Sequence, residues 1–407
     1  MIEKRLIDIS KNISSGITPL RSNDEFWTDG TIPWLKTEQL GEKYIFDTNE
    51  YITEKALQEA NVKIFPENTL SIAMYGEGKT RGNVSILKRP MATNQACCNI
   101  ELDEEKVSSE YVYYFLKTQY ENLRGLSSGI RKNLNTNDIK NFVVRLPENL
   151  KTQQSIAAVL SALDKKIALN KQINARLEEM AKTLYDYWFV QFDFPDANGK
   201  PYKSSGGEMV FDETLKREIP KGWEVKSLNQ VADIVMGQSP DGASYNLEQE
   251  GTIFFQGSTD FDWRFPNVRQ YTTSPTRFAQ KGDILLSVRA PVGDLNISPF
   301  ECCIGRGLAA LRSKSGNNSF LFYVMKYFKT VFERRNTEGT TFGSITKDDL
   351  HSLKLVAPAD NVLEKYNEIA SKYDEMIFIR SQQNHQLTQL RDFLLPMLMN
   401  GQVSVAE

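Results

Sequence analysis

The segment from Ala73 to Thr80, Ala-Met-Tyr-Gly-Glu-Gly-Lys-Thr, has the spacing of a relaxed phosphate loop with alanine in place of the first glycine. Such a loop holds nucleotide phosphates on backbone N–H groups at the N-terminus of the helix it opens. Here Arg81-Gly82-Asn83 leads instead into the β-type run Val84-Ser-Ile-Leu87, and then Pro90. The segment therefore reads as a glycine-rich hairpin whose tip carries Lys79 and Arg81, with a phosphate-loop nucleotide hydrolase as an alternative. Other catalytic arrangements fail at the first step. The chain has no Asn-Pro-Pro-aromatic motif for amino-methylation of a base and no glycine-rich cofactor loop after a first strand. Its two histidines, His351 and His385, are far apart and have no second histidine or cysteine at metal-ligand spacing. The residues give no catalytic set, no cofactor site and no metal site.

The remaining chemistry is binding. Basic and hydrogen-bonding side chains cluster at turn-like segments in two corresponding places. The first holds Lys79 and Arg81, then Arg131, Lys132, Asn135 and Thr136 within residues 129–137. The second holds Arg289 and Arg306, then Thr340, Thr341, Ser344 and Lys347 within residues 339–347. Lysine and arginine neutralise phosphates and pair with guanine, asparagine and glutamine suit adenine, and serine and threonine serve either.

What positions these residues is a duplicated chain. Its 407 residues allow two or three domains at roughly 150 each. Gly16-Ile-Thr-Pro19 matches Gly237-Gln-Ser-Pro240, 221 residues on. Leu163-Asp164, Asn174, Leu177 and Leu184 match Tyr373-Asp374, Asn384, Leu387 and Leu394, 210 residues on. Matches that keep their order while the spacing shrinks mark two copies of one unit that differ by loop deletions. The first part of each copy mixes short β-type runs (Thr69–Ala73, Val84–Leu87, Phe142–Leu146, Ile284–Val288) with an aromatic helical stretch, near Tyr111–Tyr120 and Phe320–Phe332. This makes each module α+β (mixed α/β).

The second part of each copy is a long helix with a seven-residue apolar repeat. In residues 153–188 the rows run through Leu163, Asn170, Leu177, Leu184 and through Ile167, Asn174. In residues 362–398 they run through Tyr373, Arg380, Leu387, Leu394 and through Ile377, Asn384. Two rows four residues apart form a coiled-coil seam, and its polar members cost stability but fix register. The two helices are expected to pack on each other. Pro396 should kink or break the second near its end. The expected organisation is residues 1–148, first module; 149–191, first long helix; 192–219, a connector whose residues 192–208 are rich in Gly, Pro, Ser and Asn and read as irregular; 220–358, second module; 359–400, second long helix; and 401–407, a tail.

Composition narrows the class. With 40% apolar and 25% charged residues the chain is globular. It has no run of about 18 apolar residues and no apolar signal core after Met1. Four cysteines in two adjacent pairs, Cys97-Cys98 and Cys302-Cys303, read as reduced buried thiols of a cytoplasmic protein. A net charge of −3 gives no global pull toward nucleic acid, so any polyanion is met by local patches and by partners.

The layout resembles the specificity subunit of type I restriction–modification enzymes over essentially the whole chain. The resemblance is carried by the duplicated module-plus-helix order, the helix end Leu184-Tyr-Asp-Tyr-Trp-Phe189, the connector Asn198-Gly-Lys-Pro-Tyr-Lys-Ser-Ser-Gly-Gly207, and Ile219-Pro-Lys-Gly-Trp223. It implies two target recognition domains, each reading half of a split, asymmetric site on double-stranded DNA. It also implies an antiparallel coiled coil that spaces them and docks two methyltransferase (modification) subunits. S-adenosylmethionine would sit on those subunits, and ATP and Mg on restriction (translocase) subunits; this chain would hold no cofactor and catalyse nothing. The rival from another class is a coiled-coil adaptor with two protein-binding modules.

Overall fold

The structure is a computed structural model that describes residues 1–76, 79–126, 133–337 and 344–405, without the side chains of 333–337. The chain forms two compact units, Met1–Leu169 with Asn384–Glu407, and Asn170–Gln383.

In the first unit the strands are β1 (Ile2–Arg5), β2 (Ser10–Ser15), β3 (Ile32–Leu35), β4 (Tyr44–Ile45), β5 (Glu50–Ile52), β6 (Leu70–Ala73), β7 (Val84–Leu87), β8 (Ala92–Thr93), β9 (Cys97–Leu102) and β10 (Val143–Leu146). The main sheet has the order β2-β9-β6-β7-β4, a second sheet the order β5-β3-β8, and β1 pairs with β10. Strands β6 and β7 are buried at every position, Ser71 and Ser85 included, as strands are when both sheet faces are covered. Helix α1 (Glu54–Glu59) starts at the Thr53 cap. Helix α2 (Ser109–Thr118) starts where Ser108 accepts a hydrogen bond from the Tyr111 N–H. It buries Tyr111, Tyr114, Phe115 and Leu116 against Leu70, Ile86 and Ile100. Two short helices follow, α3 (Tyr120–Gly125) and α4 (Thr136–Lys140).

The long helix α5 (Leu150–Tyr185) begins in this unit, capped by Asn149, whose Oδ1 accepts from the Lys151 N–H (2.8 Å). Its Ile156, Ala157 and Leu160 join the same core, together with Leu398 and Met399 from the C-terminal end of the chain.

The second unit opens with the hairpin β11 (Met209–Asp212) and β12 (Arg217–Pro220). It continues with β13 (Glu224–Ser227), α6 (Leu228–Val231), β14 (Ala232–Met236), β15 (Tyr245–Asn246), β16 (Thr252–Phe255), β17 (Tyr271–Thr272), β18 (Phe278–Ala279), β19 (Ile284–Ser287), β20 (Leu295–Ile297), β21 (Cys302–Ile304), β22 (Leu308–Ser313), α7 (Asn318–Thr337), α8 (Lys347–Ser352) and β23 (Lys354–Ala357). The sheets run β14-β22-β19-β20 and β15-β17-β16-β21-β18, and β13 pairs with β23. The pairings β1–β10, β2–β9 and β6–β9 of the first unit thus recur as β13–β23, β14–β22 and β19–β22. This is the same topology built twice.

Residues 192–208 of the connector carry no helix or strand, as expected, and the β11–β12 hairpin follows them; even so the stretch buries Phe192, Asp193 and Phe194. Phe194 stacks between Tyr202 (4.7 Å) and Trp223 (4.8 Å). Buried aromatic area outweighs the disordering bias of the surrounding glycines and serines.

The second long helix is α9 (Asp360–Met399), and it runs through Pro396 without breaking. A proline one turn from a helix end removes little hydrogen bonding, and the buried Leu398 and Met399 hold the last turn in place. Within the first unit, Asn384 Nδ2 donates to the Ile167 carbonyl (3.3 Å) and Arg391 Nη1 to Asp164 (3.0 Å). Within the second, Asn170 Nδ2 donates to Gln383 Oε1 (2.8 Å) and Asn174 Nδ2 to Ser381 Oγ (3.1 Å). In both, partners rise along one helix as they fall along the other, so the helices pair antiparallel. Ile167, Asn170, Asn174, Leu177 and Ile377 are buried in the seam, and Leu163, Leu184, Tyr373, Arg380, Asn384, Leu387 and Leu394 are half-buried. Among the described residues no helix is long and apolar enough to cross a membrane.

Candidate functional site

In the first unit the β6–β7 connection is a closed hairpin: the Ala73 and Gly82 N–H groups donate to the Asn83 and Ala73 carbonyls, each at 2.9 Å. Gly82 takes a φ of +87°, a turn conformation that suits glycine. The chain goes from strand to antiparallel strand, Leu70 opposite Ile86, and among the described residues no helix opens between them. That geometry removes the structural basis for nucleotide hydrolysis.

Lys79 is exposed at this hairpin and Arg81 half-buried. The backbone around them is held from α3. The Tyr120 hydroxyl donates to the Lys79 carbonyl (2.7 Å), and Arg124 Nη1 to the Arg81 carbonyl (3.3 Å). Sequence reasoning misses both α3 residues, because a short helix after an aromatic one leaves no mark in the spacing.

The segment before α4 joins the hairpin through the Leu134 N–H, which donates to the Met74 carbonyl (3.1 Å). Thr136 Oγ1 lies 3.7 Å from Met74 Sδ. Asn135 is the helix cap: its Oδ1 accepts from the Asp138 N–H (2.9 Å), and its Nδ2 donates to the Asp138 carboxylate (2.6 Å). Arg131 and Lys132 lie outside the described residues.

The second unit repeats the arrangement. The Ile345 N–H donates to the Val288 carbonyl (2.8 Å), and the backbones of Arg289 and Ser344 form an isolated antiparallel β-bridge. Arg289 and Ser344 are both exposed. Lys347 is exposed at the start of α8, where Thr346 and Asp349 form a capping box. Thr340 and Thr341 lie outside the described residues. Arg306 is exposed on the turn before β22, and its N–H donates to Ser239 Oγ (3.3 Å).

That last hydrogen bond exposes a pair the residue types alone do not suggest. In the first unit the matching turn presents exposed Gln95, whose side chain accepts from Thr18 Oγ1. Both turns are pressed onto a glycine. A Cβ on Gly16 would meet the Thr93 carbonyl oxygen at 2.1 Å, and one on Gly237 the Gly305 oxygen at 2.2 Å. The signal for Thr18 and Ser239 is the repeated Gly-x-Thr/Ser-Pro motif. Each unit therefore brings exposed polar loop residues together, Lys79 and Gln95 with the half-buried Arg81 in the first and Arg289, Arg306, Ser344 and Lys347 in the second. Among the described residues no group of three or more His, Cys, Asp or Glu could hold a metal ion.

The family model for the type I restriction modification DNA specificity domain matches residues 2–179 and again 220–389. The chain is 29% identical to the type I restriction enzyme MjaIX specificity subunit of Methanocaldococcus jannaschii, over 99% of this chain and 94% of that one. It is 36% identical to a second chain of that organism, named as the MjaX specificity subunit, over 68% of this chain; the match spans 62% of that relative's length, less than two thirds. In fold it resembles the S subunit of a type I restriction–modification system from M. genitalium, with a TM-score of 0.66 at 16% identity, over 98% of this chain and 95% of that one. Two copies of one domain, each built around the same hairpin and followed by a long seam-forming helix, agree with these likenesses: the chain belongs to the family of type I restriction–modification DNA specificity subunits, recognition chains that are not themselves enzymes.

Proposed function

We propose that each module reads one half of a two-part, asymmetric site on double-stranded DNA, and that the helix pair sets the number of unread base pairs between the halves. The observation that carries this is the repeated loop surface. Lys79 and Arg81 with Leu134 and Asn135, and Arg289 with Ser344, occupy matching places beside matching strands, but the side chains differ. Matching scaffolds with different reading groups favour two different half-sites. A helix of 36 residues spans about 54 Å, more than one duplex turn of roughly 34 Å, so it is long enough to act as a ruler.

The helix pair would also dock two methyltransferase subunits that carry S-adenosylmethionine, with restriction subunits supplying ATP- and Mg-dependent translocation. A near-neutral chain with a net charge of −3 suits a protein that shares phosphate binding with such partners.

The test is co-expression with the neighbouring methyltransferase gene product, followed by sequencing for methylated adenines. A single motif of two unlike halves around a fixed gap is the expected result. No motif, together with salt-insensitive binding to a protein partner, would favour the adaptor reading.

A further inference from the structure

In the second unit the loop between β16 and β17 sends Arg264 inward, and its side chain is 1% exposed. The guanidinium pairs with Asp374 of α9 and faces Glu178 of α5 at 3.8 Å, so one residue engages both long helices. It also lies over the Phe322 ring of α7, 3.9 Å from its centre. The two carboxylates are shared: Ser319 donates to Asp374, and Lys326 pairs with Glu178. Beside it, Phe265 of the same loop meets Phe378 of α9 edge-on at 5.5 Å.

The first unit holds the counterpart. Lys43, 221 residues before Arg264, is 9% exposed and donates to Glu110 (2.7 Å), to the Tyr114 hydroxyl (2.9 Å) and to Ser161 Oγ of α5 (2.6 Å). Tyr114 in turn donates to Asp164 of α5, which Arg391 of α9 also reaches. Asp164 and Asp374 are themselves a repeat pair, 210 residues apart. Each unit thus seats a buried cation from a module loop among polar groups of the long helices.

Stability does not account for this. Buried ion clusters are commonly replaced by apolar side chains without loss of stability. The second cluster is also incompletely satisfied: Arg264 Nε and Nη1 and Glu178 Oε2 make no hydrogen bond among the described residues. What such a cluster does enforce is geometry, because sliding or turning the loop on either helix would strand a buried charge.

We propose that Arg264 is a positioning residue that fixes the angle of the second module on the helix pair and so holds its half-site in register, with Lys43 doing the same for the first. The inference rests on the reading of two half-sites given above. One extra base pair displaces a half-site by roughly 3.4 Å and about 35° around the duplex, so a loosened module would accept neighbouring gap lengths.

The experiment uses the complex with its methyltransferase subunit and maps adenine methylation in cells. Two variants are compared with the unsubstituted protein: Arg264→Met combined with Asp374→Asn, which removes the charges together, and Arg264→Lys, which keeps the charge and loses the planar fork. Methylation of sites whose gap is one base pair longer or shorter should rise about tenfold relative to the cognate gap, as a loss of roughly 1.4 kcal/mol of discrimination would produce. Thermal unfolding should stay cooperative, and the bases read within each half should not change. A folded variant with an unchanged gap distribution overturns the proposal. If the double variant fails to fold, Arg264→Lys decides on the same readout, and failure of both to fold would make the cluster a folding determinant and overturn it too. If the unsubstituted complex methylates no two-part motif, the proposed function fails instead.

Discussion

Asn174, buried on the first long helix, donates from Nδ2 to Ser381 Oγ on the second at 3.1 Å. A polar pair inside an apolar seam trades stability for a defined register. Replacing Asn174 with leucine should raise the thermal midpoint by a few degrees, about what 1 kcal/mol provides in a protein of this size. It should also admit misregistered or intermolecular helix pairs, visible as additional masses in size-exclusion chromatography with light scattering. A single mass at unchanged midpoint would remove the register role.

Residues 170–176 face residues 377–383 across that seam, through Asn170–Gln383 and Asn174–Ser381. Deleting both seven-residue segments shortens each helix by about 10.5 Å while keeping the repeat in phase. The gap in the methylated motif should contract by about three base pairs at roughly 3.4 Å each, with both half-sites unaltered. An unchanged gap in the methylation map would refute the ruler.

Arg289 and Arg306 are exposed cations of the second unit's loop surface. Replacing either with alanine should weaken binding of duplex DNA and lower the slope of log affinity against log salt by about 0.9 for each phosphate no longer neutralised, or relax one base at a cost of about 1–3 kcal/mol. The half read by the first unit should be untouched. Fluorescence anisotropy over a salt series, with the two halves mutated in turn in the DNA, separates these outcomes.

Asn135 is a candidate for DNA binding by residue type, yet both ends of its amide are engaged with Asp138 at the start of α4. Asn135→Ala should therefore cost about 0.5–2 kcal/mol of stability through removal of the cap. Chemical denaturation would show this, and the methylated motif should keep its bases.

Burial pushes the Cys97, Cys98 and Cys302 thiols up to about 12, from an ordinary value of 9.0. Unfolded thiols ionise first as pH rises, so the stability these groups contribute is intact below pH 9 and declines between about 9 and about 12. Urea midpoints should fall across the accessible part of that window, from pH 9 to 10. At pH 8 Ellman's reagent should label these thiols in urea and leave them unreacted in the folded protein, because thiolate is the reacting form.

The repeat and the long helices are legible in the sequence because both leave periodic marks. The seven-residue rows through Leu163, Asn170 and Leu177 need only the helical repeat to be read, and the Gly-x-Thr/Ser-Pro motif recurs 221 residues on. The connector's glycines and serines show its irregular course, but not its buried aromatics, because the stacking of Phe194 on Trp223 joins distant positions. Pro396 misleads because its effect depends on how near the helix end it sits and on the burial of Leu398 and Met399.

Amino-acid order alone determined that this chain is two copies of an α+β module followed by a seam-forming helix, since local periodicity and internal similarity require no knowledge of spatial neighbours. Tertiary structure decided which polar residues are occupied in the framework. Asn135 serves as a cap, Tyr120 and Arg124 hold a hairpin, Gln95 takes the place matching Arg306, and Arg264 lies buried between two helices. Apart from the local Asn135 cap, those roles come from pairings across tens to about a hundred residues, and a side chain's identity carries no record of the partner that the fold brings to it.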